Sequence, residues 1–449
     1  MFKKIISAVL CSAILIITAG QSFAEPEIFG DTGVIINAET GQVLYDKEKD
    51  KIMYPASTTK ILTAIVALEN SEMTDKVIVD DKTPVEVWGG HIALEAGEEL
   101  TMEQLMEALM LNSANDAAMV IARHIGGTIE GFSDMMNSKA KEIGAVNTHY
   151  RNPSGLPDKE HTTTAYDLAK MAQYGLKNGY FRYFVSKVEG YIPPTNKKTE
   201  GRYLLNSNKL LYSDKMINVD GNEVPMKYEG ITGVKTGYTD DAQNCLVSSA
   251  KRGDNEYIAV VMHSNLNNVY IDSQKLLNYA FDQFSHETIL YKDDELAFKY
   301  DDKDLIVKVP NDIKHDFKYE TIVNESPDVF ERFGIEKEFI PDEAVLDEVY
   351  YEGDKVGEVV FTQNGNEIAR TDVNALEDKK GLEAFLKGKK NTDSSSVDKL
   401  NEVSHVNIFL SILIIGIIII LIIASVRMFI RKRNMKKRQS ETLKKDDKN

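Results

Sequence analysis

Apolar residues follow two different periods along the chain, and each period predicts one kind of element. Residues 33–37 and 42–45 are short apolar runs on either side of a Gly-containing turn, a pattern that predicts a β-hairpin. Between Ile61 and Leu68 the apolar residues recur at helical spacing instead, which predicts a buried helix over about residues 57–69. The chain from about residue 33 therefore begins as a mixture of strands and helices.

Helices are predicted to dominate from Thr101 to about residue 177. Thr101 and Gln104 have the spacing of a capping box, which predicts that the first of these helices begins at Thr101. The Gly126-Gly127 pair is expected to end the second helix. This stretch is long enough for several helices packed around a common core.

Three runs rich in β-branched residues follow the helical region. They lie at residues 231–239, 245–250 and 257–263. An amphipathic helix is predicted after them, near residues 271–284. Because short strands and helices are mixed without the regular alternation of a parallel sheet, we predict that residues 25–285 form an α+β domain with an antiparallel sheet.

The pattern changes to short alternating runs between residues 290 and 375. The predicted strands are residues 304–309, 317–323, 348–351, 356–361 and 367–370. Turn residues separate them, and no cluster of chemical groups lies among them, so we predict a small all-β domain, a sandwich, over 290–375. Residues 387–406, rich in Lys, Asn, Asp and Ser, are predicted to be a flexible linker.

Both ends of the chain carry targeting patterns. Residues 1–24 contain two lysines, an apolar run and a small-residue cleavage site, which predicts a cleaved signal peptide. Residues 407–426 are almost entirely apolar, and at about 1.5 Å per residue they are long enough to cross a bilayer as a transmembrane helix. The basic tail, 427–449, favours the cytoplasmic side. We therefore predict a single-pass protein of the cell membrane whose residues 25–406 face outward.

Composition and charge narrow the classes of function. The chain has 449 residues, 43% hydrophobic and 27% charged, as in globular proteins. The net charge is −17, and because the tail is basic the rest of the chain is more acidic still, which argues against nucleic acid as a partner. Cys11 lies in the predicted signal peptide, so Cys245 has no disulfide partner in the exported chain and is expected to pack in the core.

One candidate for nucleophilic chemistry lies where the first predicted helix begins. Ser57 and Lys60 are three residues apart, so one helical turn brings the hydroxyl and the amine side by side. The same spacing occurs at three other places, but only here at the start of a helix, where backbone N–H groups favour an oxyanion. A simple helix cap is the alternative interpretation of Ser57.

Two further motifs occur once each in the chain. Ser113 and Asn115 lie between two predicted helices, where they either present polar groups to a cleft or only link the helices. Lys235, Thr236 and Gly237 lie within a predicted strand. A lysine there can hold a substrate carboxylate, and the glycine leaves room for a peptide along the strand edge. A solvated lysine on an edge strand is the alternative for Lys235.

In their order along the chain, the three motifs resemble those of the penicillin-recognising serine enzymes. The sequences around them are similar to the low-molecular-mass penicillin-binding proteins that are serine-type D-alanyl-D-alanine carboxypeptidases, peptidase family S11. These sequences are Tyr54-Pro-Ala-Ser-Thr-Thr-Lys60, Asn112-Ser-Ala-Asn-Asp116, Asn152-Pro-Ser-Gly-Leu156 and Gly233-Val-Lys-Thr-Gly-Tyr-Thr239. The resemblance covers about residues 28–285 and implies a serine β-lactamase/DD-peptidase-like catalytic domain, followed by the small β-sandwich domain.

The resemblance also implies catalytic roles. Ser57 would be the nucleophile that attacks the carbonyl between two D-alanines, and Lys60 would be the general base that accepts its proton. Ser113 would relay a proton to the leaving D-alanine. The substrates would be peptidoglycan stem peptides that end in D-Ala-D-Ala, and β-lactam antibiotics would acylate Ser57 as covalent inhibitors. No metal or cofactor would be needed.

Substrate binding is implied for a second set of residues. Asn115 would bind the substrate amide, and Lys235 with Thr236 would hold the terminal carboxylate. The backbone N–H groups of Ser57 and Tyr238 would form an oxyanion hole. Gly237 would keep the strand edge open.

Other functions remain as alternatives. A β-lactamase shares the motifs, but no Glu-x-x-Leu-Asn lies between Ser113 and Lys235 to activate the hydrolytic water of the commonest class. The eight His are scattered, which argues against a zinc carboxypeptidase. A membrane-anchored β-lactam sensor or wall-binding scaffold that does not hydrolyse its substrate is a further possibility, although the short tail holds no signalling domain. The chain also carries extra polar residues at 212–229, which could reshape the approach to Lys235.

Overall fold

The computed structural model describes residues 25–301, 303–346 and 350–378. The strands are β1 (Thr32–Asn37), β2 (Val43–Lys47), β3 (Lys76–Ile78), β4 (Glu99–Thr101), β5 (Glu189–Ile192), β6 (Arg202–Leu205), β7 (Met216–Val219), β8 (Asn222–Pro225), β9 (Ile231–Thr239), β10 (Gln243–Arg252), β11 (Asn255–Ser264), β12 (Phe284–Leu290), β13 (Glu295–Tyr300), β14 (Lys303–Lys308), β15 (Ile313–Lys318), β16 (Ile335–Pro341), β17 (Lys355–Gln363) and β18 (Asn366–Ala375). The helices are α1 (Lys60–Asn70), α2 (Thr83–Glu86), α3 (Met102–Met110), α4 (Asn115–Gly126), α5 (Ile129–Ile143), α6 (Ala165–Gly175), α7 (Gly179–Ser186), α8 (Asn268–Gln283), α9 (Val329–Phe333) and α10 (Glu343–Leu346).

A five-stranded antiparallel sheet is the centre of the first part of the chain. Its strand order is β2-β1-β11-β10-β9, so β9 is an edge strand. The register places Lys235 of β9 opposite Val247 of β10. The middle of β10 is buried at every position, as expected for a strand with both faces of its sheet covered. The predicted hairpin, the three predicted strands and the antiparallel sheet are confirmed.

Helices cover the sheet on its two faces. Helix α1 is buried along almost its whole length and belongs to the larger hydrophobic cluster, with residues from α3 to α7. On the other side, α8 contributes residues to the smaller cluster with Leu246 and Ala259 of the sheet. The predicted capping box is present, because Thr101 accepts from the N–H of Gln104 while the Gln104 side chain accepts from the N–H of Thr101. The larger cluster therefore holds α1 among the helices on one face of the sheet.

The extra residues 212–229 form a hairpin of β7 and β8. Gln274 of α8 donates from Nε2 to the carbonyls of Pro225 and Met226, at 3.0 and 2.9 Å. Ile217 and Val219 pack in the smaller hydrophobic cluster beside the same helix. The hairpin therefore packs on the α8 side of the sheet.

The described chain divides into two compact units. The first consists of the described residues up to Leu296, Val309–Ile340 and Glu358–Asp372, and the second of Ala297–Lys308, Pro341–Gly357 and the described residues from Val373 on. Predicted strands are found near 304–309, 356–361 and 367–370, but the one at 317–323 is wrong beyond Lys318, where a 3₁₀ turn follows. Of the strand predicted at 348–351, residues 350 and 351 do not form a strand, and the other two lie outside the described residues. The sandwich and the predicted domain boundaries stay predictions.

The predicted signal peptide, linker, transmembrane helix and tail lie outside the described residues. Within 25–301, 303–346 and 350–378, none of the helices has both the length and the apolar character that crossing a bilayer requires.

Candidate active site

Ser57 lies in a 3₁₀ turn that leads directly into α1. The predicted helix over 57–69 thus begins as a 3₁₀ turn, Ala56–Thr59, and becomes α-helical at Lys60. Two hydroxyls hold the turn: Thr58 donates to the carbonyl of Pro55 at 2.7 Å, and Thr59 donates to that of Ala56 at 2.9 Å. Ala56 has a positive φ of 48°, an uncommon conformation that orients the partly buried Ser57 that follows.

The amine of Lys60 is completely buried and has three polar neighbours. Nζ lies 3.0 Å from Ser57 Oγ, 2.8 Å from Asn115 Oδ1 and 2.7 Å from the carbonyl oxygen of Ser154. Burial, together with the nearby charge of Lys235, holds the Lys60 pKa well below its usual value. A neutral amine has two hydrogens, and the oxygens of Asn115 and Ser154 accept both. Its lone pair is then free to accept the proton of Ser57.

Asn115 links Lys60 to the loop that carries Trp88, which precedes Asn115 in the chain. While its Oδ1 accepts from Lys60, its Nδ2 donates to the carbonyl of Trp88 at 2.8 Å. The next residue, Asp116, is fully buried and accepts from the backbone N–H groups of Ile92 and Leu94. The start of α4 therefore holds the loop that carries Trp88.

Ser113 precedes this helix in a strained conformation. Its φ is +58°, and its buried Oγ has no hydrogen-bond partner within the described part of the chain. A buried hydroxyl without a partner is costly, so it commonly marks a place where a ligand completes the bonding. Ser113 lines the same cleft as Ser57 but is not hydrogen-bonded to Ser57 or Lys60.

The edge strand β9 forms the opposite wall. Lys235 is 1% exposed, its Nζ donates to the carbonyl of Thr236 at 3.1 Å, and burial lowers its pKa to about 7. The hydroxyl of Thr236 is hydrogen-bonded to that of Ser207 at 2.6 Å. A Cβ at Gly237 would lie 2.9 Å from the backbone nitrogen of Ser57, so only glycine lets the strand approach the nucleophile this closely.

The predicted residues thus surround one cleft of about 710 Å³. Its lining includes Ser57, Ser113, Asn115, Thr236, Gly237 and Tyr238. Lys60 and Lys235 are buried. No residue of 212–229 lines this cleft, so the extra hairpin does not form its wall.

The segment 152–161 supplies contacts that residue types alone did not indicate. The carbonyl of Ser154 binds Lys60, and Gly155 has a φ of +83°, with its would-be Cβ 1.8 Å from the carbonyl oxygen of Ala56. His161 accepts at Nδ1 from the N–H of Arg151, so its proton is on Nε2, 2.8 Å from Thr59 Oγ1. Burial lowers the His161 pKa to about 3, so it is neutral and holds this loop in place.

These features define a class of enzyme. A serine hydroxyl beside a neutral buried lysine can form an acyl-enzyme, and a second lysine on the facing strand can bind a carboxylate at the end of a peptide. The geometry is that expected of a serine acyl-transfer enzyme with a lysine beside its nucleophile.

Comparison with known proteins identifies the family. A model of the D-alanyl-D-alanine carboxypeptidase family, peptidase S11, matches residues 19–265. D-alanyl-D-alanine carboxypeptidase DacF of Bacillus subtilis is 32% identical over 408 residues, which are 86% of this chain and 97% of that protein. The chain therefore belongs to the peptidase S11 family, and the predictions of this family and of a serine-type D-alanyl-D-alanine carboxypeptidase are confirmed.

Solved structures are similar in fold. Penicillin binding protein 5 from Haemophilus influenzae superposes with a TM-score of 0.65, at 22% identity, over 80% of this chain and 99% of that one. At that identity the likeness supports the fold alone. A single-residue mutant of Streptomyces K15 DD-transpeptidase has a TM-score of 0.52 and 31% identity over 57% of this chain and 99% of that one. The prediction of an α+β DD-peptidase-like catalytic domain is confirmed.

Proposed function

We propose that Ser57, in the site described above, removes the terminal D-alanine from peptidoglycan stem peptides. The observation that carries this proposal is the position of Lys60 Nζ, buried and 3.0 Å from Ser57 Oγ, with two other oxygens to accept its hydrogens. Ser57 gives its proton to Lys60 as Oγ attacks the carbonyl between the two D-alanines. The oxyanion forms at the backbone N–H groups of Ser57 and Tyr238.

The bond to the leaving D-alanine then breaks. The proton held by Lys60 passes through Ser113 to the leaving amine, and the acyl group stays on Ser57. Asn115 binds the substrate amide, while Lys235 and Thr236 hold the carboxylate of the terminal residue. Water, deprotonated by Lys60, next attacks the ester, which releases the shortened peptide and restores Ser57. Penicillins would react at the same hydroxyl and block it.

The test is the release of D-alanine from diacetyl-L-Lys-D-Ala-D-Ala by the full chain and by Ser57→Ala. We expect release by the unsubstituted protein and none by the variant. Thr58→Ser, which keeps the hydroxyl that donates to Pro55, is a matched control that retains activity. A stable penicillin adduct without any release of D-alanine would contradict the proposal and favour the sensor or scaffold, whereas rapid hydrolysis of penicillin would favour a β-lactamase.

One comparison favours a second outcome for the acyl-enzyme. The similar Streptomyces K15 structure bears the name of a DD-transpeptidase. We propose that an amine acceptor can replace water in the second step, because the acyl-enzyme is common to both reactions. Adding a glycine-ended acceptor amine to the assay and measuring the amide product by mass spectrometry tests this. Hydrolysis products alone at high acceptor concentration would exclude transfer.

We propose a location from the sequence alone. Residues 1–24 act as a signal peptide and residues 407–426 as a transmembrane helix, which leaves 25–406 outside the membrane and the basic tail in the cytoplasm. Protease added to intact protoplasts would then digest the catalytic domain but spare a tag at residue 449. A stop codon after residue 406 is expected to release the protein into the medium. Release of the full chain by an alkaline wash would contradict this location.

A further inference from the structure

A second cleft opens beside the active-site cleft. It is the larger of the two, about 980 Å³ against about 710 Å³, and Trp88, Leu156 and Pro157 line both. Its walls also come from α4, α5 and the segment 149–154. This volume is in the range of ligand sites, about 300–1,000 Å³. Among the residues that line this second cleft, the proposed reaction uses only Ser154, through the carbonyl that binds Lys60.

The proposed function gives the direction in which a bound substrate extends out of the active-site cleft. Lys235 and Thr236 hold the last carboxylate and Ser57 attacks the preceding carbonyl, so the residues before it continue along β9 toward Thr239. At that end Thr239 lines a small cavity together with Leu156 and Pro157. The upstream part of the substrate therefore arrives where the two clefts meet.

Trp88 stands at this meeting point. It is the only tryptophan of the chain, and the residue is 56% exposed. Its backbone is nevertheless held, because Asn115 Nδ2 binds the Trp88 carbonyl and the Asn115 N–H binds that of Gly90, both at 2.8 Å. An exposed indole ring on a backbone that is held in place between two clefts offers a flat surface over which a peptide can pass.

The walls of the second cleft are polar, as a peptide ligand requires. Arg151 is half-exposed, and its ion pair with Glu160 is long, at 3.7 Å. Arg123 is less able to bind a ligand than Arg151 is, because both Asp80 and Glu86 form ion pairs with it. A stem peptide brings backbone amides and charged side groups, for which such walls provide partners.

We propose that the second cleft binds the amino-terminal part of the stem peptide, which crosses from one cleft to the other over Trp88. This inference rests on the proposed function and extends it, because it assigns a binding site to the residues of the stem peptide that precede its D-Ala-D-Ala end. Binding energy from residues far from the reacting bond raises kcat/KM when it is used in the transition state.

The test compares two substrates with the full chain. These are diacetyl-L-Lys-D-Ala-D-Ala and the pentapeptide L-Ala-γ-D-Glu-L-Lys-D-Ala-D-Ala. We expect kcat/KM to be at least about tenfold higher for the pentapeptide. Two variants should lower that ratio toward one: Trp88→Ala, and Asp134→Tyr, which adds bulk from α5 to the second cleft.

Matched controls lie on the same segments. Val85 is 83% exposed and lines neither cleft, so Val85→Ala should keep the ratio. Lys141 on α5 is also exposed and lines neither cleft, so Lys141→Tyr should keep it as well. Equal kcat/KM for the two peptides in the unsubstituted protein, or an unchanged ratio in both cleft variants, would overturn the inference. If neither peptide releases D-alanine, the proposed function is overturned instead.

Fluorescence gives a second readout that does not need turnover. In the full chain with Ser57→Ala, all indole emission comes from Trp88. We expect the pentapeptide to change this emission at saturation more than the diacetyl tripeptide does. Equal changes with the two peptides would count against passage over Trp88.

Discussion

The carbonyl oxygen of Ser154 accepts a hydrogen bond of 2.7 Å from Lys60 Nζ, although 94 residues separate the two along the chain. Together with Asn115 Oδ1 it accepts the two hydrogens of the neutral amine, whose lone pair is left for the hydroxyl of Ser57 at 3.0 Å. Burial and the charge of Lys235 therefore lower the Lys60 pKa, while two uncharged oxygens rather than a carboxylate hold the amine beside Ser57. The pH dependence of the reaction follows from this arrangement.

Acylation of Ser57 is expected to fail at low pH as Lys60 becomes protonated. Because burial holds the Lys60 pKa below its usual value, the amine is neutral above that lowered pKa, and activity is lost as the pH falls through it. The rate of penicillin acylation, measured by stopped flow across pH, should show this acidic limb. Lys60→Met should lower acylation by roughly 10²–10⁴-fold, the usual contribution of a general base.

A His161 variant tests whether Lys60 or His161 causes the acidic limb. The His161 pKa is lowered to about 3, so His161 does not titrate over the working range. His161→Gln keeps a donor for Thr59 and should leave the midpoint of the acidic limb unchanged. A shift of that midpoint in His161→Gln would assign the limb to the histidine instead.

The lowered pKa of Lys235 predicts that substrate binding weakens as the pH rises. Its pKa in the free protein is lowered to about 7, so it loses its positive charge above that pH, and its attraction for the terminal carboxylate weakens. KM for diacetyl-L-Lys-D-Ala-D-Ala should therefore rise between pH 7 and 9 in steady-state assays. Lys235→Gln should have a high KM that changes little over this range. A constant KM in the unsubstituted protein would contradict the prediction.

The same lysine should affect stability with a definite sign. Its pKa is about 7 when folded and about 10.4 in an unfolded chain, so between these values the unfolded state holds more protons. The free energy of unfolding then rises with pH across this window. In denaturant titrations, Lys235→Met should show a smaller rise between pH 7 and 10 than the unsubstituted protein. Equal slopes would show that Lys235 keeps its ordinary pKa.

Two glycines with the same φ of +83° allow a matched comparison. A Cβ at Gly155 would lie 1.8 Å from the carbonyl oxygen of Ala56, whereas one at Gly144 would meet nothing within 4 Å. Gly144→Ala should cost about 1–2 kcal/mol, the penalty of the left-handed conformation. Gly155→Ala should cost more, because the turn before Ser57 must move, and penicillin acylation should slow. Equal unfolding free energies for the two variants would contradict the structural explanation.

From the sequence, candidate site residues were easier to recognise than the contacts between them. Ser57, Ser113 and Lys235 were chosen as candidates because each motif has a fixed spacing and side chains of known chemistry, and the structure places Ser57 and Ser113 at one cleft with Lys235 buried in the strand beside it. Ser154 was not assigned a role, since its backbone carbonyl is the acceptor and every residue has one. The position of Trp88 beside the cleft was not predicted for a similar reason. It depends on a hydrogen bond between the Trp88 carbonyl and Asn115, which are far apart along the chain and leave no local pattern in the sequence.

In the fold, too, some elements were predicted and others were not. Strands β9, β10 and β11 were predicted because each contains a long run rich in β-branched or apolar residues. The strand predicted at 317–323 ends at Lys318 instead, and α9 was not predicted at all. These short elements have few residues from which to recognise a period, so their ends depend on contacts distant in sequence. The extent of agreement therefore follows the length of each element.

The open edge of β9 has a consequence for selectivity. An edge strand offers N–H and C=O groups that are the same for every residue, so a peptide that adds itself to β9 is recognised largely through its main chain. Such recognition distinguishes a bound peptide poorly by its side chains. Discrimination between cell-wall peptides and other extended chains must then come from the two ends of the bound segment, where the terminal carboxylate is held at one end and the rest of the peptide leaves at the other.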